Sequence, residues 1–98
     1  MNFSFHPEAS AEFQGAVDYY EERQPGLGLD LALEVQAAIR NIVAFPQAWP
    51  SIEGEIRRCL VNRFPYGILY TIEPDEIWIL AVMHLHREPD YWKHRRQA

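Results

Sequence analysis

The sequence lacks several features that would place it in a specialised class of protein. It contains one cysteine, Cys59, so an internal disulfide is excluded and a zinc site would need other ligands. No apolar run reaches the ~18 residues of a membrane-spanning helix. The first eight residues have neither the basic nor the apolar stretch of a secretory signal. Repeats and low-complexity segments are also missing. These absences favour a soluble cytoplasmic protein with no membrane association.

The chain also lacks a net positive charge. The chain has nine Lys and Arg residues against 14 Asp and Glu, a formal net charge of −5. Proteins that bind nucleic acid mainly through its phosphates are normally basic, because counterion release supplies most of that affinity. The charge is uneven, however, with −7 on residues 1–55 and +2 on residues 56–98. We therefore expect any anionic partner to bind the C-terminal half, whose basic residues are Arg57, Arg58, Arg63, Arg87, Lys93, Arg95 and Arg96.

The N-terminal half predicts a strand followed by two helices. Residues 2–5 alternate polar and apolar, and Pro7 suits the first turn of a helix, where its missing N–H costs nothing. Apolar residues at helical spacing continue to the turn at Pro25 and Gly26, and a second stripe runs over residues 30–45. Gly28 is expected to leave the turn loose. The short connection predicts an antiparallel helix hairpin with both stripes facing inward.

Beyond residue 49 the apolar period changes from 3.6 to 2. Residues 55–62, 68–73 and 77–86 are predicted strands with short connections, as in an antiparallel meander. A short helix is expected from Pro89. With 98 residues, the chain has enough surface to bury for one core, so we expect a single domain over residues 1–98. The fold class is α+β, with the helix hairpin packed on a small antiparallel sheet in two layers.

The last predicted strand is apolar on both faces. Strict alternation assigns Ile77, Ile79, Ala81, Met83 and Leu85 to one face and Trp78, Leu80, Val82, His84 and His86 to the other. A sheet this narrow with two apolar faces needs a cover on the side away from the helices. We expect that cover to be the chain's own tail, another protein, or each in a different state.

The local motifs, taken in order, carry a family resemblance. They are Phe5-His6-Pro7-Glu8-Ala9, Tyr19-Tyr20-Glu21-Glu22, Gly26-Leu27-Gly28, Phe45-Pro46-Gln47-Ala48-Trp49-Pro50, Arg57-Arg58, Phe64-Pro65-Tyr66-Gly67-Ile68-Leu69-Tyr70, Ala81-Val82-Met83-His84 and Arg87-Glu88-Pro89-Asp90-Tyr91-Trp92. At this spacing and length the chain resembles the RelE/ParE family of toxins from bacterial type II toxin–antitoxin systems, which includes plasmid stabilisation proteins. The resemblance implies a toxin that a cognate antitoxin binds and neutralises in a hetero-oligomer.

The resemblance leaves the target open. RelE-like members cut mRNA on the translating ribosome, whereas ParE-like members poison DNA gyrase, and one scaffold carries both activities. We expect the gyrase poison, with the ribosome-dependent mRNA endoribonuclease as the alternative. A third possibility is an inactive remnant that only binds its antitoxin.

Ribonuclease activity would need a base, an acid and positive charge at the phosphate. His84 and His86 are the candidates for proton transfer, and Arg87 and Arg58 for the phosphate. Tyr91 lies where the resemblance places a tyrosine that matters for cleavage. Two expected parts are missing. The arginine after the tyrosine of the middle strand is Gly67 here, and the lysine-rich first strand of the meander is reduced to two arginines.

A gyrase poison needs a surface that binds a protein. It does not need a catalytic acid and base. The aromatic and arginine-bearing C-terminal region suits such a role, with Arg58, Arg63, Trp92 and Arg95 as candidate target-binding residues.

The same residues also have simpler interpretations. Tyr91 and Trp92 can anchor the tail on the sheet. Arg57 and Arg58 must point to opposite faces, and one of them can pair with a helix carboxylate such as Glu34. His84, His86 and His94 lack the spacing of a metal site, and we expect neither a metal nor a cofactor.

Overall fold

The structure, a computed structural model, describes residues 1–96. It contains two long helices, five strands and a C-terminal 3-10 turn. The elements are β1 (Asn2–Phe5), α1 (Pro7–Arg23), α2 (Leu27–Ala44), β2 (Ser51–Glu53), β3 (Ile56–Leu60), β4 (Tyr66–Ile72), β5 (Glu76–His84) and a 3-10 helix (Lys93–Arg96).

The five strands form one mixed sheet in the order β1-β5-β4-β3-β2. Neighbours from β2 to β5 are antiparallel, whereas β1 pairs with β5 in parallel. This arrangement confirms the predicted α+β fold with its helix hairpin and its antiparallel meander. Two features differ from the prediction. β1 makes the sheet mixed, and β2 was not predicted because it has only three residues, all of them exposed, with no alternation to reveal it.

The main core lies between the helix hairpin and one face of the sheet. Leu31, Val35 and Ile42 of α2 are fully buried there, opposite Ile68 and Tyr70 of β4. Each such aliphatic side chain contributes about 1.5–3 kcal/mol by leaving water. The apolar side chains that recur at helical spacing in α2 therefore pack against those that alternate along β4, as the sequence pattern indicates.

The turn between the helices is tight, which corrects the expectation for Gly28. This glycine lies inside α2 and is buried against α1, where a Cβ would lie 2.5 Å from the Val17 carbonyl oxygen. The Glu21 carboxylate accepts hydrogen bonds from the backbone N–H groups of Gly26 (2.9 Å) and Gly28 (3.0 Å). These bonds satisfy two donors at the start of α2 that have no partner within the helix. Gly28 thus permits close helix packing and does not loosen the turn.

A β-bulge in β5 changes which residues face the helices. Leu69 pairs with Ala81 and Tyr70 pairs with Ile79, so Leu80 is an extra residue in the β5 strand. The predicted alternation is therefore wrong from Ala81 onward. Val82 joins Ile77 and Ile79 in the core under the helices, whereas Ala81 and Met83 join Leu80 on the opposite face. The bulge also brings His84 to the helix side, opposite Tyr66.

The chain's own tail covers the face of the sheet away from the helices. Trp92 is 2% exposed and packs with residues of β3, β4 and β5 in a second apolar cluster. The members of that cluster are Ile56, Leu69, Leu80, Ala81, Met83 and Trp92. The tail reaches this position through turns and ends in a 3-10 helix that begins only at Lys93. Of the two covers that the sequence predicts, this structure contains the tail.

Candidate functional site

Glu12 of α1 binds the tail to the free part of the β5 edge. β1 ends at Phe5, so beyond Ile79 the edge of β5 has no neighbouring strand. The Glu12 carboxylate accepts hydrogen bonds there from the Val82 N–H (3.1 Å) and the Tyr91 hydroxyl (2.5 Å). Arg95 donates to both oxygens of this carboxylate, at 2.8 and 2.9 Å. One carboxylate thereby joins α1, β5 and the tail.

The ion pair between Glu12 and Arg95 is buried. The Arg95 side chain is 4% exposed and that of Glu12 16%. Arg95 also donates to the Leu80 carbonyl at 3.1 Å, so side chains satisfy both a donor and an acceptor of the β5 edge. The tail is therefore fixed by charge-assisted hydrogen bonds in addition to the apolar contacts of Trp92.

Tyr91 is held neutral by this network. Burial raises the pKa of its hydroxyl, and the hydrogen bond to the Glu12 carboxylate raises that pKa further. The proton is also committed, because the hydroxyl donates it to Glu12. In this arrangement Tyr91 is a poor donor of a proton to any bound group.

A groove of about 280 Å³ lies between α1 and the end of β5, and we refer to it as the α1–β5 groove. The residues that line it are Glu12, Gly15, Ala16, Tyr19, Tyr66, Val82, His84, Arg87 and Tyr91. The ring of His84 stands nearly perpendicular to that of Tyr66, with 5.1 Å between ring centroids. The Arg87 guanidinium lies 4.1 Å from the centroid of the Tyr91 ring. The groove is therefore aromatic, with the Arg87 guanidinium in its lining.

The tautomer of His84 follows from its backbone contact. Its Nδ1 accepts a hydrogen bond from the His86 N–H at 3.1 Å. The neutral ring therefore carries its proton on Nε2. The His86 ring is exposed, and its centroid lies 5.4 Å from that of His84.

The candidate ribonuclease residues lie largely together. His84, Arg87 and Tyr91 all line the α1–β5 groove, and His86 lies beside it. Arg58 does not join them. It lies on the opposite face of the sheet, where its side chain covers Gly67, and a Cβ on Gly67 would be 3.1 Å from the Arg58 Cδ.

The candidate target-binding residues are dispersed. Arg63 is in the loop after β3 and contacts Asp30 (3.5 Å) and Glu34 (3.7 Å) of α2. Trp92 and Arg95 are buried within the tail contacts, and Arg58 lies on the sheet. Their role in target binding stays a prediction.

The predicted partner of Glu34 was wrong. Arg57 and Arg58 do point to opposite faces, since Arg57 pairs with Tyr70 and Arg58 with Leu69. Neither contacts Glu34. The Arg57 guanidinium instead donates to the carbonyl of Trp49 at 2.5 Å. Arg63, whose backbone is left-handed with φ of 70°, takes the place next to Glu34.

Sequence reasoning missed Glu12, whose carboxylate accepts hydrogen bonds from Val82, Tyr91 and Arg95. A signal for it was present. Glu12 follows Ala9 by three residues and precedes Ala16 by four, and these two alanines are the buried residues of α1. The helical period therefore places a carboxylate on the buried face of α1, where it needs a partner.

Residues 1–96 contain neither a cluster of metal ligands nor a membrane-spanning helix. No group of three or more His, Cys, Asp or Glu side chains there is placed to hold a metal ion. None of the helices in this part of the chain is long and apolar enough to cross a bilayer.

Comparison with known proteins identifies the family. A family profile described as "ParE toxin of type II toxin-antitoxin system, parDE" matches residues 3–89. Among solved structures, a chain from "Chromosomal ParDE TA system from P. aeruginosa" is similar, with a TM-score of 0.75 and 21% sequence identity. The similarity covers 88% of this chain and 97% of the other, and at this identity it supports the fold alone. No curated protein matches the sequence. The profile spans most of the chain, which therefore belongs to the ParE toxin family of type II toxin–antitoxin systems.

Proposed function

We propose that this ParE-type toxin inhibits growth by binding DNA gyrase and poisoning it, and that it performs no acid–base chemistry on RNA. The observation that carries this proposal is the state of Tyr91. Its hydroxyl donates to Glu12, and burial raises its pKa, so the acid that RNA cleavage would need is committed to fixing the tail.

Two further features support binding over cleavage. Gly67 stands where RelE-like nucleases carry an arginine, and the side chain of Arg58 covers that position on the face away from the α1–β5 groove. The net charge of −5 also opposes association with a site walled by RNA, because like charges slow the encounter.

A type II system pairs a toxin with an antitoxin, so family membership implies an antitoxin partner for this chain. We propose that this antitoxin neutralises the toxin by binding an apolar groove of the helix hairpin or by pairing with an edge strand of the sheet, since the tail already covers the face of the sheet away from the helices. Such grooves and edges suit an extended or helical segment of a partner.

A ribosome-dependent endoribonuclease is the second candidate, and one observation favours it. His84, Arg87 and Tyr91 all line one groove, although the first and the last are seven positions apart in the sequence. A proton acceptor, a cation and a phenol in one groove are the parts that cleavage through a 2′-hydroxyl requires.

The Tyr91→Phe variant separates the two candidates. It removes the acidic proton but keeps the ring beneath Arg87. The lost hydrogen bond to a charged acceptor should cost about 1.5–3 kcal/mol of stability, which leaves the domain folded. As a gyrase poison, the variant should retain growth inhibition, whereas as a nuclease it should lose it.

The assay combines growth with two direct readouts. Purified wild-type chain is expected to inhibit supercoiling by gyrase, and the 5′ ends of mRNA should remain unchanged minutes after its induction without antitoxin. New 5′ ends inside translated messages that vanish in Tyr91→Phe would overturn the gyrase proposal and establish the nuclease.

A further inference from the structure

The distribution of unpaired positive charge singles out one surface of this acidic protein. Four of the nine Lys and Arg side chains lie within 4 Å of a carboxylate oxygen. These are Arg63, Lys93, Arg95 and Arg96. Within residues 1–96, the other five have no such partner.

Three of those five arginines lie away from the α1–β5 groove. Arg57 donates to backbone carbonyls, and Arg58 lies over Gly67 on the sheet. Arg40 lies on α2 beside Met1 and Phe3, at a separate apolar pocket. The remaining two arginines, Arg23 and Arg87, are both exposed.

Arg23 and Arg87 each stack on a tyrosine that lines the α1–β5 groove. The Arg23 guanidinium lies 4.6 Å from the centroid of the Tyr19 ring and donates to the Tyr19 hydroxyl. The Arg87 guanidinium lies 4.1 Å from the centroid of the Tyr91 ring. Tyr19 and Tyr91 both line the α1–β5 groove, which therefore has an arginine stacked on a tyrosine at α1 and another at the tail.

The carboxylate of Glu12 does not neutralise the positive charges of Arg23 and Arg87. Glu12 also lines the groove, but the carboxylate of Glu12 is bound to both terminal nitrogens of Arg95. Its charge is therefore compensated from the buried side. Stacking fixes the two guanidinium groups without consuming their charge, so they remain able to bind an anion.

We infer that the α1–β5 groove binds an acidic segment of the toxin's protein target, with Arg87 and Arg23 contacting its carboxylates and the rings of Tyr19 and Tyr66 contacting its apolar atoms. This inference rests on the proposed function and adds the chemistry of the partner. It assigns a role to Arg23 and Tyr19, which the sequence alone did not single out.

A short acidic segment fits this groove better than nucleic acid does. Tight binding of a phosphate backbone needs a run of cations from which counterions are released. Beyond the groove such a backbone would meet the exposed carboxylates of Asp18 and Glu22 on α1. A segment with one or two carboxylates needs no such run of cations and is matched by the two arginines.

Charge-reversal variants with a matched control test the inference. Arg87→Glu and Arg23→Glu each change the net charge by −2, and so does Arg40→Glu, which lies on α2 away from the groove. The long-range field therefore changes equally in all three. We expect Arg87→Glu and Arg23→Glu to weaken gyrase inhibition roughly tenfold each, and Arg40→Glu to leave it nearly unchanged.

A binding experiment without gyrase keeps the two proposals separable. The full chain is titrated with N-acetylated hexaglutamate, and the NMR signals of the Arg side-chain N–H groups and of the tyrosine rings are followed. Shifts should be confined to Arg23, Arg87, Tyr19 and Tyr66 and should vanish in the groove variants. If they appear while gyrase is unaffected, the groove inference stands and the gyrase proposal fails.

Three outcomes would overturn the groove inference. In the first, the shifts spread over all basic residues, or Arg40→Glu abolishes them as well. In the second, a hexanucleotide of single-stranded RNA or DNA binds the groove more tightly than hexaglutamate does. In the third, Arg87→Glu and Arg23→Glu leave gyrase inhibition intact but weaken binding of the cognate antitoxin, which would assign the groove to the antitoxin.

Discussion

Removal of the Glu12 carboxylate should destabilise the protein strongly. In Glu12→Ala the guanidinium of Arg95, which is 4% exposed, loses the carboxylate that both of its terminal nitrogens bind. The Val82 N–H and the Tyr91 hydroxyl lose their acceptor as well. Breaking a buried ion pair by removing one partner costs about 3–5 kcal/mol, because the other charge stays buried without compensation. Since a small domain is stable by only about 5–15 kcal/mol, this is a large fraction of the total.

Urea unfolding of two matched variants measures the effect. Glu8→Ala removes a second glutamate of α1 that also approaches Arg95, at 3.6 Å from its Nε, but this carboxylate is half exposed. Its removal should leave the free energy of unfolding close to that of the wild type. The double variant Glu12→Ala/Arg95→Met removes both buried charges and should recover part of the stability that Glu12→Ala loses, although the Val82 N–H and the Tyr91 hydroxyl still lack their acceptor.

Two results would refute the reasoning. The first is a loss below about 1 kcal/mol in Glu12→Ala, the range of an exposed pair. The second is a double variant no more stable than Glu12→Ala, because the loss would then come from packing and not from an uncompensated charge.

Two further predictions concern the glycines of the hairpin and a buried phenol. Gly28→Ala should cost about 1–3 kcal/mol through overpacking, since its Cβ would lie 2.5 Å from the Val17 oxygen. In contrast, Gly15→Ala should gain about 0.5–1 kcal/mol from helix propensity, since no atom lies within 4 Å of that Cβ. Thermal unfolding of both variants checks this, and shifts of the same sign would contradict it. Burial raises the pKa of Tyr70 to about 12 from the usual 10. The stability that depends on its neutral form is therefore complete below pH 10 and is lost as the pH rises through 12. The free energy of unfolding should fall less steeply in Tyr70→Phe over that interval, and equal slopes would argue against the assignment.

The sequence pattern was least informative where both faces of an element are apolar. In β5 a strict alternation and an alternation interrupted at Leu80 leave equally apolar faces, so the pattern cannot reveal the bulge. The bulge decides that Val82 faces the helices and that His84 lies beside Tyr66. Two of the nine residues that line the α1–β5 groove, Val82 and His84, therefore owe their position to a feature without a sequence signal.

Glycine and arginine gave errors of a different kind. A glycine at position 28 is compatible both with a loose turn and with a close contact between helices. Only the short distance to Val17 in the folded protein shows that it serves the close contact. The predicted pairing of Glu34 with Arg57 or Arg58 failed because the cation beside Glu34 comes from Arg63, in the loop after β3.

The sequence by itself determined both long helices, four of the five strands and their order, because helical and strand periods reflect interactions between near neighbours in the chain. Its local motifs determined the family. It also named Tyr91 and Arg95 as residues of interest. Only the tertiary structure decided what they do, since Glu12 is 79 residues away from Tyr91 and 83 from Arg95. A buried carboxylate requires a partner, but which partner it finds depends on the edge of β5 that the short β1 leaves uncovered and on the path of the tail across it.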